Sequence, residues 1–229
     1  MKWTDKYHKA ITFSYDDGVF QDKRLVEILN RYNLKCTFNI NSGLGRLNEP
    51  FLADDVLVEH FDIEELVPMY VGHEPAIHSF SHPSLTSIPI LDARKEIEDD
   101  IYNIEHIFDT KVEGMAYPFG DYNDEVVKVL TEFGIKYART VEENHSFSIQ
   151  TDLLRFKPTC HHNDKEIFNL IKKFLDEESN EPMILYIWGH SYEFDVDRNW
   201  DHFERICQMI ANKTDIFYGT NKEVLLNEY

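Results

Sequence analysis

A regular alternation of strand-like and helix-like segments is the feature of this sequence that most constrains its fold. Between residues 91 and 108, Ile97, Ile101 and Ile104 recur at the spacing of one helix face. Shorter apolar runs predict strands. We predict strands over residues 10–15, 35–40, 75–79, 115–117, 137–140, 153–156 and 183–188, and helices over 22–32, 62–69, 91–108, 123–133, 165–176 and 197–211. This alternation predicts one α/β domain over residues 1–229, a distorted (β/α) barrel of about seven parallel strands.

Composition and charge narrow the class of partner. The 229 residues are 42% hydrophobic, so the chain can bury one substantial core. The formal net charge of −19 would repel nucleic acids and anionic membranes, so we expect a neutral or cationic small molecule as the partner. The polar start and the lack of a long apolar run predict a cytoplasmic protein without a membrane span. Three widely spaced cysteines favour reduced thiols over disulfides.

Two adjacent carboxylates follow the first predicted strand. Active sites of parallel barrels lie where strands end, and Asp16 and Asp17 occupy such a position. Gly18 permits a backbone turn that would bring both carboxylates to one mouth. Buried carboxylates need a partner, and a divalent cation is one. The same Asp-Asp-Gly tripeptide is also a common surface turn, so it does not indicate a metal site by itself.

A pair of histidines follows a later strand. His78 and His82 are four residues apart, and Pro83 argues against a long helix through them. No Glu adjoins His78, so this is not the helical motif of zinc proteases. One Asp and two His form a common set of ligands for a catalytic divalent metal with room for water. Zinc is the default expectation, although cobalt, nickel or iron would accept the same ligands. Asp16 is placed to accept a proton from the water.

Four segments, in order along the chain, resemble motifs of the polysaccharide deacetylases, carbohydrate esterase family four. The matching segments are Ser-Tyr-Asp-Asp-Gly at residues 14–18, Gly-His-Glu at 72–74 followed by His-Ser-Phe-Ser-His at 78–82, Ala-Tyr-Pro-Phe-Gly at 116–120, and Ile-Trp-Gly-His at 187–190. The resemblance therefore covers most of the chain. It implies a distorted (β/α) barrel and one bound divalent metal.

The resemblance also implies a role for each matched residue. It implies a general base at Asp16, metal ligands at Asp17, His78 and His82, a general acid at His190, and an oxyanion-binding backbone N–H at Phe119. Tyr117, Trp188 and Tyr192 would contact the substrate, and the two aromatic neighbours of His190 could stack on a sugar face. Burial in the barrel is the competing interpretation of Trp188.

Two departures from the family pattern need an explanation. The third motif normally begins with Arg, and this chain has Ala116 there. Arg139 or Arg155, each near the end of another predicted strand, could replace it, and we favour Arg139 as the residue that orients the base. The fourth motif has no clear match. Asp195 could tune His190 and Trp200 could wall the pocket, although an Asp in an acidic loop is more often solvated.

The segment from Cys160 to Asp164 is dense in metal-binding residue types. Its His161 and His162 could supply a second metal site or line the pocket. Surface or capping roles are the more common ones for such residues, and Asp164 is well placed to cap a helix. Pocket lining is the functional role that we favour for this segment.

Together, these observations predict a hydrolase of non-peptide carbon–nitrogen bonds. The leading hypothesis is removal of an acetyl group from an N-acetylated sugar by metal-activated water, with Asp16 as base and His190 as acid. A second hypothesis is hydrolysis of another small-molecule amide, for which residues 41–60 should close the site. A third is an inactive carbohydrate-binding protein, which the missing motif Arg supports.

Overall fold

Eight parallel strands form one curled sheet in a computed structural model that describes residues 3–227. The strands of this sheet are β1 (Lys9–Asp16), β2 (Cys36–Ile40), β5 (Glu74–Ile77), β6 (Gly114–Ala116), β7 (Tyr137–Arg139), β8 (Cys160–His161), β9 (Met183–His190) and β10 (Ile216–Tyr218), and a separate hairpin contains β3 (Phe51–Ala53) and β4 (Val56–Val58). The order across the sheet is β7-β6-β5-β2-β1-β9-β8, and β10 pairs with the start of β1. The predicted α/β barrel with parallel strands is confirmed.

The strand β1 is the centre of the sheet. One of its edges pairs with β9 along its whole length, and the other pairs first with β10 and then with β2. All eight of its residues are buried. A strand buried on both faces reads as a continuous apolar run, which explains why this strand could be predicted from sequence.

One connecting segment brings the two outer edges of the sheet together. The Phe156 N–H donates to the carbonyl of Ala138 in β7, with an N···O distance of 3.0 Å. Three residues later, the Thr159 N–H donates to the Tyr186 carbonyl of β9, also at 3.0 Å. The sheet therefore curls towards a closed barrel, and its C-terminal strand ends converge.

Helices cover the outside of the sheet. They are α1 (Asp22–Arg31), α2 (Ile63–Met69), α3 (Ile90–Phe108), α4 (Asp124–Glu132), α5 (Ile167–Asp176), α6 (Glu193–Val196), α7 (Trp200–Ile210) and α8 (Asn221–Leu225). In α3, Ile97 and Ile104 are fully buried and Ile101 is partly buried, as the spacing predicted. Within residues 3–227, none of the helices combines the length and the apolar character that crossing a membrane requires. All three cysteines are buried and unpaired.

One predicted strand was wrong. Residues 153–156 do not form a strand: Leu153–Arg155 is a 3-10 turn, and Phe156 alone makes a parallel bridge, to Arg139. The helix predicted over residues 197–211 is confirmed as α7 (Trp200–Ile210), and the short helix α6 (Glu193–Val196) before it was not predicted. Arg198 between them has a φ of 52°, which an α-helix cannot contain. The prediction also missed the strands β3, β4, β8 and β10 and the helix α8, which are too short to show a period.

The buried carboxyl group of Asp22 connects helix α1 to the loop that follows β9. Asp22, at the start of α1, is fully buried and accepts hydrogen bonds from Ser191 Oγ at 2.5 Å and Tyr70 Oη at 2.6 Å. Burial raises the pKa of Asp22 from 3.8 to about 7, although both hydroxyl groups stabilise its charged form. Since Ser191 follows the last residue of β9, this contact fixes the loop that leaves the sheet there.

Replacing Asp22 by Asn should reduce the dependence of stability on pH. The folded state holds the Asp22 proton more tightly than the unfolded state, so its contribution is full below about pH 4 and is lost as the pH rises through 7. Between pH 5 and pH 8, the free energy of unfolding should fall by on the order of 1–2 kcal/mol more in the wild type than in Asp22→Asn. Urea unfolding measures this difference. Asp201→Asn changes an exposed residue and should show the same pH dependence of stability as the wild type. Equal pH dependence in Asp22→Asn would contradict this assignment.

Candidate metal centre and active site

The candidate site lies at the C-terminal ends of the strands, where the backbone is strained at several positions. Asp17, Ser79, His82 and Phe119 all have φ between 58° and 84°, a region that residues with a Cβ rarely adopt. Each of these residues belongs to or adjoins a segment singled out in the sequence. Such conformations persist only where the surrounding structure holds them, and they concentrate at functional sites. The strain therefore coincides with the predicted motifs.

Asp17, His78 and His82 come together as the sequence predicted. Oδ1 of Asp17 lies 3.6 Å from Nε2 of His78 and 3.7 Å from Nε2 of His82. The three ligand atoms all lie within 4.8 Å of one another, so one ion could contact all of them. One carboxylate and two imidazoles are a donor set that suits zinc and similar divalent metals.

The protein holds His78 in the form that a metal requires. Its Nδ1 lies 2.7 Å from the Ala116 carbonyl, which leaves Nε2 free to face Asp17. Its backbone N–H donates to Oδ2 of Asp100 at 3.0 Å, and its carbonyl accepts from Nδ2 of Asn41 at 2.5 Å. Burial is the main cause that lowers the pKa of His78 to about 4, so this imidazole is neutral at physiological pH. A neutral imidazole is the form that binds metal.

Asp16 forms a buried ion pair with Arg139. Nη2 of Arg139 bonds to Oδ2 of Asp16, and Nδ2 of Asn39 donates to the other carboxylate oxygen at 2.8 Å. Burial alone would raise the pKa of Asp16. The Arg139 guanidinium outweighs that effect, with help from His78 and His190, and holds the pKa below its usual value. Asp16 is therefore ionised and able to accept a proton.

The strand register places Arg139 directly beside Ala116, the position at which the family motif has Arg. Arg139 and Ala116 are register partners on the neighbouring strands β7 and β6. Ala116 is small, and the guanidinium reaches the same carboxylate from the next strand while it lies 4.4 Å from the Trp188 ring centroid. Arg155, the alternative, pairs instead with Asp152 and Asp124 near the surface.

His190 faces Asp16 from the other side. In register on β9, it directly neighbours Asp16, and its Nε2 lies 3.8 Å from Oδ2 of that residue. Burial would lower the pKa of His190, but Glu193, Asp17 and Asp16 outweigh burial and raise it to about 9. The imidazole is therefore protonated at neutral pH and can donate a proton.

The charged partner of His190 is not the one suggested by the sequence. Asp195 accepts a hydrogen bond from Nε1 of Trp200 at 2.7 Å, and Trp200 packs against Phe194 outside the pocket. Glu193 lies beside His190 instead, with 3.5 Å between Oε1 and Nδ1. Glu193 was missed because α6 has only four residues and no sequence periodicity. The only signal in the sequence was that Glu193 carries a carboxylate three residues after His190, the candidate acid.

His161 and His162 lie behind His190 and do not line the pocket. Nε2 of His161 is 3.0 Å from Oε2 of Glu193, and Nε2 of His162 is 3.3 Å from the same oxygen. The pocket lining that we favoured for this segment is therefore wrong. Asp164 accepts a hydrogen bond from the Glu166 N–H at 2.6 Å just before α5 begins, which is a turn-stabilising contact.

A pocket of about 540 Å³ opens above these groups. Its lining residues are Asp16, Asp17, Asn41, Leu44, Phe51, His60, His78, His82, Tyr117, Phe119, Val141, Trp188, His190 and Tyr192. Outside the charged and imidazole side chains, the walls are mostly aromatic and apolar. The Tyr117 hydroxyl donates to the Leu154 carbonyl at 2.8 Å, so Tyr117 offers its ring and not a free hydroxyl group.

The hairpin β3–β4 forms one wall of this pocket. The Phe51 ring lies edge-on to Tyr192, with 5.6 Å between centroids, and next to His60. Leu44 extends the same wall. Across the pocket, Phe119 is 64% exposed and its ring contacts His82. Phe51 was not identified from the sequence because the hairpin strands have only three residues each.

Comparisons with known proteins agree with this geometry. The family model described as "Polysaccharide deacetylase" matches residues 4–138, which is more than half of the chain. The peptidoglycan-N-acetylmuramic acid deacetylase PdaC of Bacillus subtilis (strain 168) is 27% identical over 124 residues, covering 53% of this chain and 24% of PdaC. The protein YxkH of the same organism is 24% identical over 140 residues, covering 58% of this chain. The chain spans less than half the length of either relative, 45% for YxkH.

Solved structures share the fold at low sequence identity. A family 4 carbohydrate esterase from Streptomyces lividans, in complex with acetate, is 16% identical with a TM-score of 0.61, and the match covers 93% of both chains. A family pseudoenzyme from Bacillus anthracis, BA3943, is also 16% identical, with a TM-score of 0.57 over 97% of this chain and 67% of that one. The fold is therefore shared by active and inactive proteins. By its family model and its ordered motifs, the chain belongs to the polysaccharide deacetylases, carbohydrate esterase family four.

Proposed function

We propose that this protein is a metal-dependent deacetylase that removes the acetyl group from an N-acetylated sugar or a related amide. The observation that carries the proposal is the convergence of two kinds of group in one pocket. Asp17, His78 and His82 form a metal-binding set, while Asp16 and His190 offer a charged base and a protonated acid. Family membership supports acetyl removal from a carbohydrate.

Asp17, His78 and His82 would hold the metal, for which zinc is the first choice. When bound, a divalent cation supplies Lewis acidity, which makes a water more acidic and polarises the acetyl carbonyl. The neutral state of His78 and its orientation by Ala116 both suit this role.

The side chains around the pocket would then transfer the protons. Asp16 accepts a proton from the attacking water, and its ion pair with Arg139 keeps it ionised before the reaction. The backbone N–H of Phe119 would donate to the developing oxyanion. When the carbon–nitrogen bond breaks, its electron pair goes to the nitrogen, which takes a proton from Nε2 of His190. The products are acetate and the free amine.

The wall formed by the hairpin favours a small substrate or the end of a chain over an internal residue of a polymer. Phe51 against Tyr192 closes one side of the pocket, as expected for a small-molecule site if residues 41–60 cover it. This observation also supports a second candidate, hydrolysis of another small-molecule amide. The net charge of −19 favours a neutral or cationic substrate in either case.

An inactive carbohydrate-binding protein is the third candidate. Its main support was the absence of Arg from the third motif. Arg139 reaches Asp16 from the adjacent strand, so this departure does not argue against catalysis. The residues that we propose as metal ligands, base and acid all line one pocket, which supports catalysis over binding alone.

His78→Ala and His82→Ala should each abolish stoichiometric metal binding and acetate release, because each removes one of three ligands. Metal per chain is measured by mass spectrometry after purification without chelators and refilling with zinc, cobalt or nickel. His106→Ala, at an exposed position on α3, is the matched control and should retain metal. A wild type that binds no divalent metal under these conditions would refute the proposal.

Arg139→Met should lower kcat/KM for the amide by roughly 100-fold, because the base loses the charge that keeps it ionised. The pKa of Asp16 should rise, so the acidic limb of the pH profile of kcat/KM should move to higher pH. Arg155→Met removes a surface Arg and should leave the profile unchanged. An unshifted acidic limb in Arg139→Met would show that Asp16 is not the base.

Phe51→Ala should change the preference for substrate size. We expect the wild type to release acetate faster from N-acetylglucosamine than from its linear tetramer, and Phe51→Ala to raise the relative rate on the tetramer several-fold. Leu52→Ala is the control, because Leu52 lies on the opposite face of the hairpin and is 70% exposed. Acetate release is measured by an enzyme-coupled assay. A wild type that prefers the tetramer would show that the hairpin does not restrict the site.

A further inference from the structure

We propose that Glu193 is a positioning residue that holds His190 in place to protonate the leaving nitrogen, and that His161 and His162 in turn hold Glu193. The inference rests on the proposed deacetylase function. Glu193 lies outside the motifs that relate this chain to its family, and it contacts no pocket surface.

The two nitrogens of the His190 ring face different groups. Nε2 faces the pocket and lies 3.8 Å from Asp16, whereas Nδ1 faces Oε1 of Glu193 at 3.5 Å. Nδ1 is buried and makes no hydrogen bond within residues 3–227, so its contact with Glu193 is an ion pair and not a hydrogen bond. Glu193 also accepts a hydrogen bond from the His190 backbone N–H, with 3.0 Å between N and Oε2. One carboxylate therefore contacts both the ring and the main chain of the same residue.

Two further side chains contact this carboxylate. Nε2 of His161 lies 3.0 Å from Oε2 of Glu193, and Nε2 of the fully buried His162 lies 3.3 Å from the same oxygen. The opposite nitrogen of His162, Nδ1, lies 3.2 Å from the Tyr15 hydroxyl group. The contacts with His161, the last residue of β8, and with His162, which follows it, hold the Glu193 carboxylate beside His190.

The chemistry of amide cleavage gives this arrangement a purpose. An amine is a poor leaving group and must gain a proton as the carbon–nitrogen bond breaks, which requires the donor to point at the nitrogen. A carboxylate at Nδ1 orients the ring and stabilises the imidazolium, so Nε2 presents its proton to the pocket. An activated ester differs, because its phenolate leaves without protonation.

The alternative is a purely structural ion pair that fixes the loop after β9. The two roles predict different patterns of activity. Loss of a structural contact would disturb Asp16, the metal ligands and His190 together, so hydrolysis of the ester and of the amide would fall in parallel. Loss of a positioning contact would affect only the step that needs a proton donor.

The experiment compares hydrolysis of an N-acetylated sugar with hydrolysis of p-nitrophenyl acetate by the metal-loaded full chain. Glu193→Gln should lower kcat/KM for the amide by about 100-fold and for the ester by less than 3-fold. His190→Ala should show the same selectivity, and the double variant should be no worse than His190→Ala, because the two residues act in one step. His161→Asn leaves Glu193 in place. It should lower kcat/KM for the amide less than Glu193→Gln does, and again more than it lowers kcat/KM for the ester.

Asp195→Asn is the matched control, because Asp195 shares α6 with Glu193 but contacts Trp200. It should leave both activities unchanged. A second readout uses metal-free protein: proton NMR should show a downfield Nδ1 proton of His190 in the wild type and in Asp195→Asn, and its loss in Glu193→Gln.

The outcomes separate this inference from the proposed function. Parallel loss of both activities in Glu193→Gln, additive losses in the double variant, or an unchanged Nδ1 proton would each overturn the role of Glu193. A wild type that releases acetate from no amide would refute the proposed function, while the NMR comparison would still test whether Glu193 holds the His190 ring.

Discussion

The ion pair between Asp16 and Arg139 is the interaction on which the rest of the site depends. A carboxylate buried at the end of a central strand would normally take up a proton, because burial disfavours its charge. The guanidinium from β7 reverses this preference and also connects one outer edge of the sheet to its centre. Breaking such a pair leaves an uncompensated buried charge, which costs about 3–5 kcal/mol. The stability of the fold and the charge of Asp16 therefore depend on the same contact.

The register of the parallel sheet brings the remaining groups to this pair. Asp16 pairs with Asn39 on one side and with His190 on the other, so three polar residues form one row across β2, β1 and β9. Asn39 donates to Asp16, and His190 faces it across the pocket. Side chains in register point to the same face of a sheet, so the convergence follows from strand pairing and does not require any loop to fold over the site. The loops add His78 and His82, the candidate metal ligands.

The sequence predicted the long elements and the residues that matched motifs, but not relations that depend on three-dimensional adjacency. The eight-residue strands and the long helix α3 were found because their apolar patterns are long enough to be distinctive. Arg139 was one of two candidates, and only the pairing of β6 with β7 explains how it stands in for an Arg at position 116. Asp195 was named as the partner of His190 and Glu193 was missed, because a helix of four residues shows no period in the sequence that would indicate which side chain faces His190. The hairpin, with strands of three residues, gave no periodic signal.

The balance of charge in the pocket also argues for a cation between Asp17 and the two histidines. Arg139 is committed to Asp16, and the Glu193 carboxylate faces His190. Asp17 is only 8% exposed, and its neighbour His78 is kept neutral by burial. No protein cation in residues 3–227 forms an ion pair with Asp17, apart from contacts that would require a protonated histidine. A divalent ion held by these three side chains would supply a positive charge beside the buried Asp17 carboxylate.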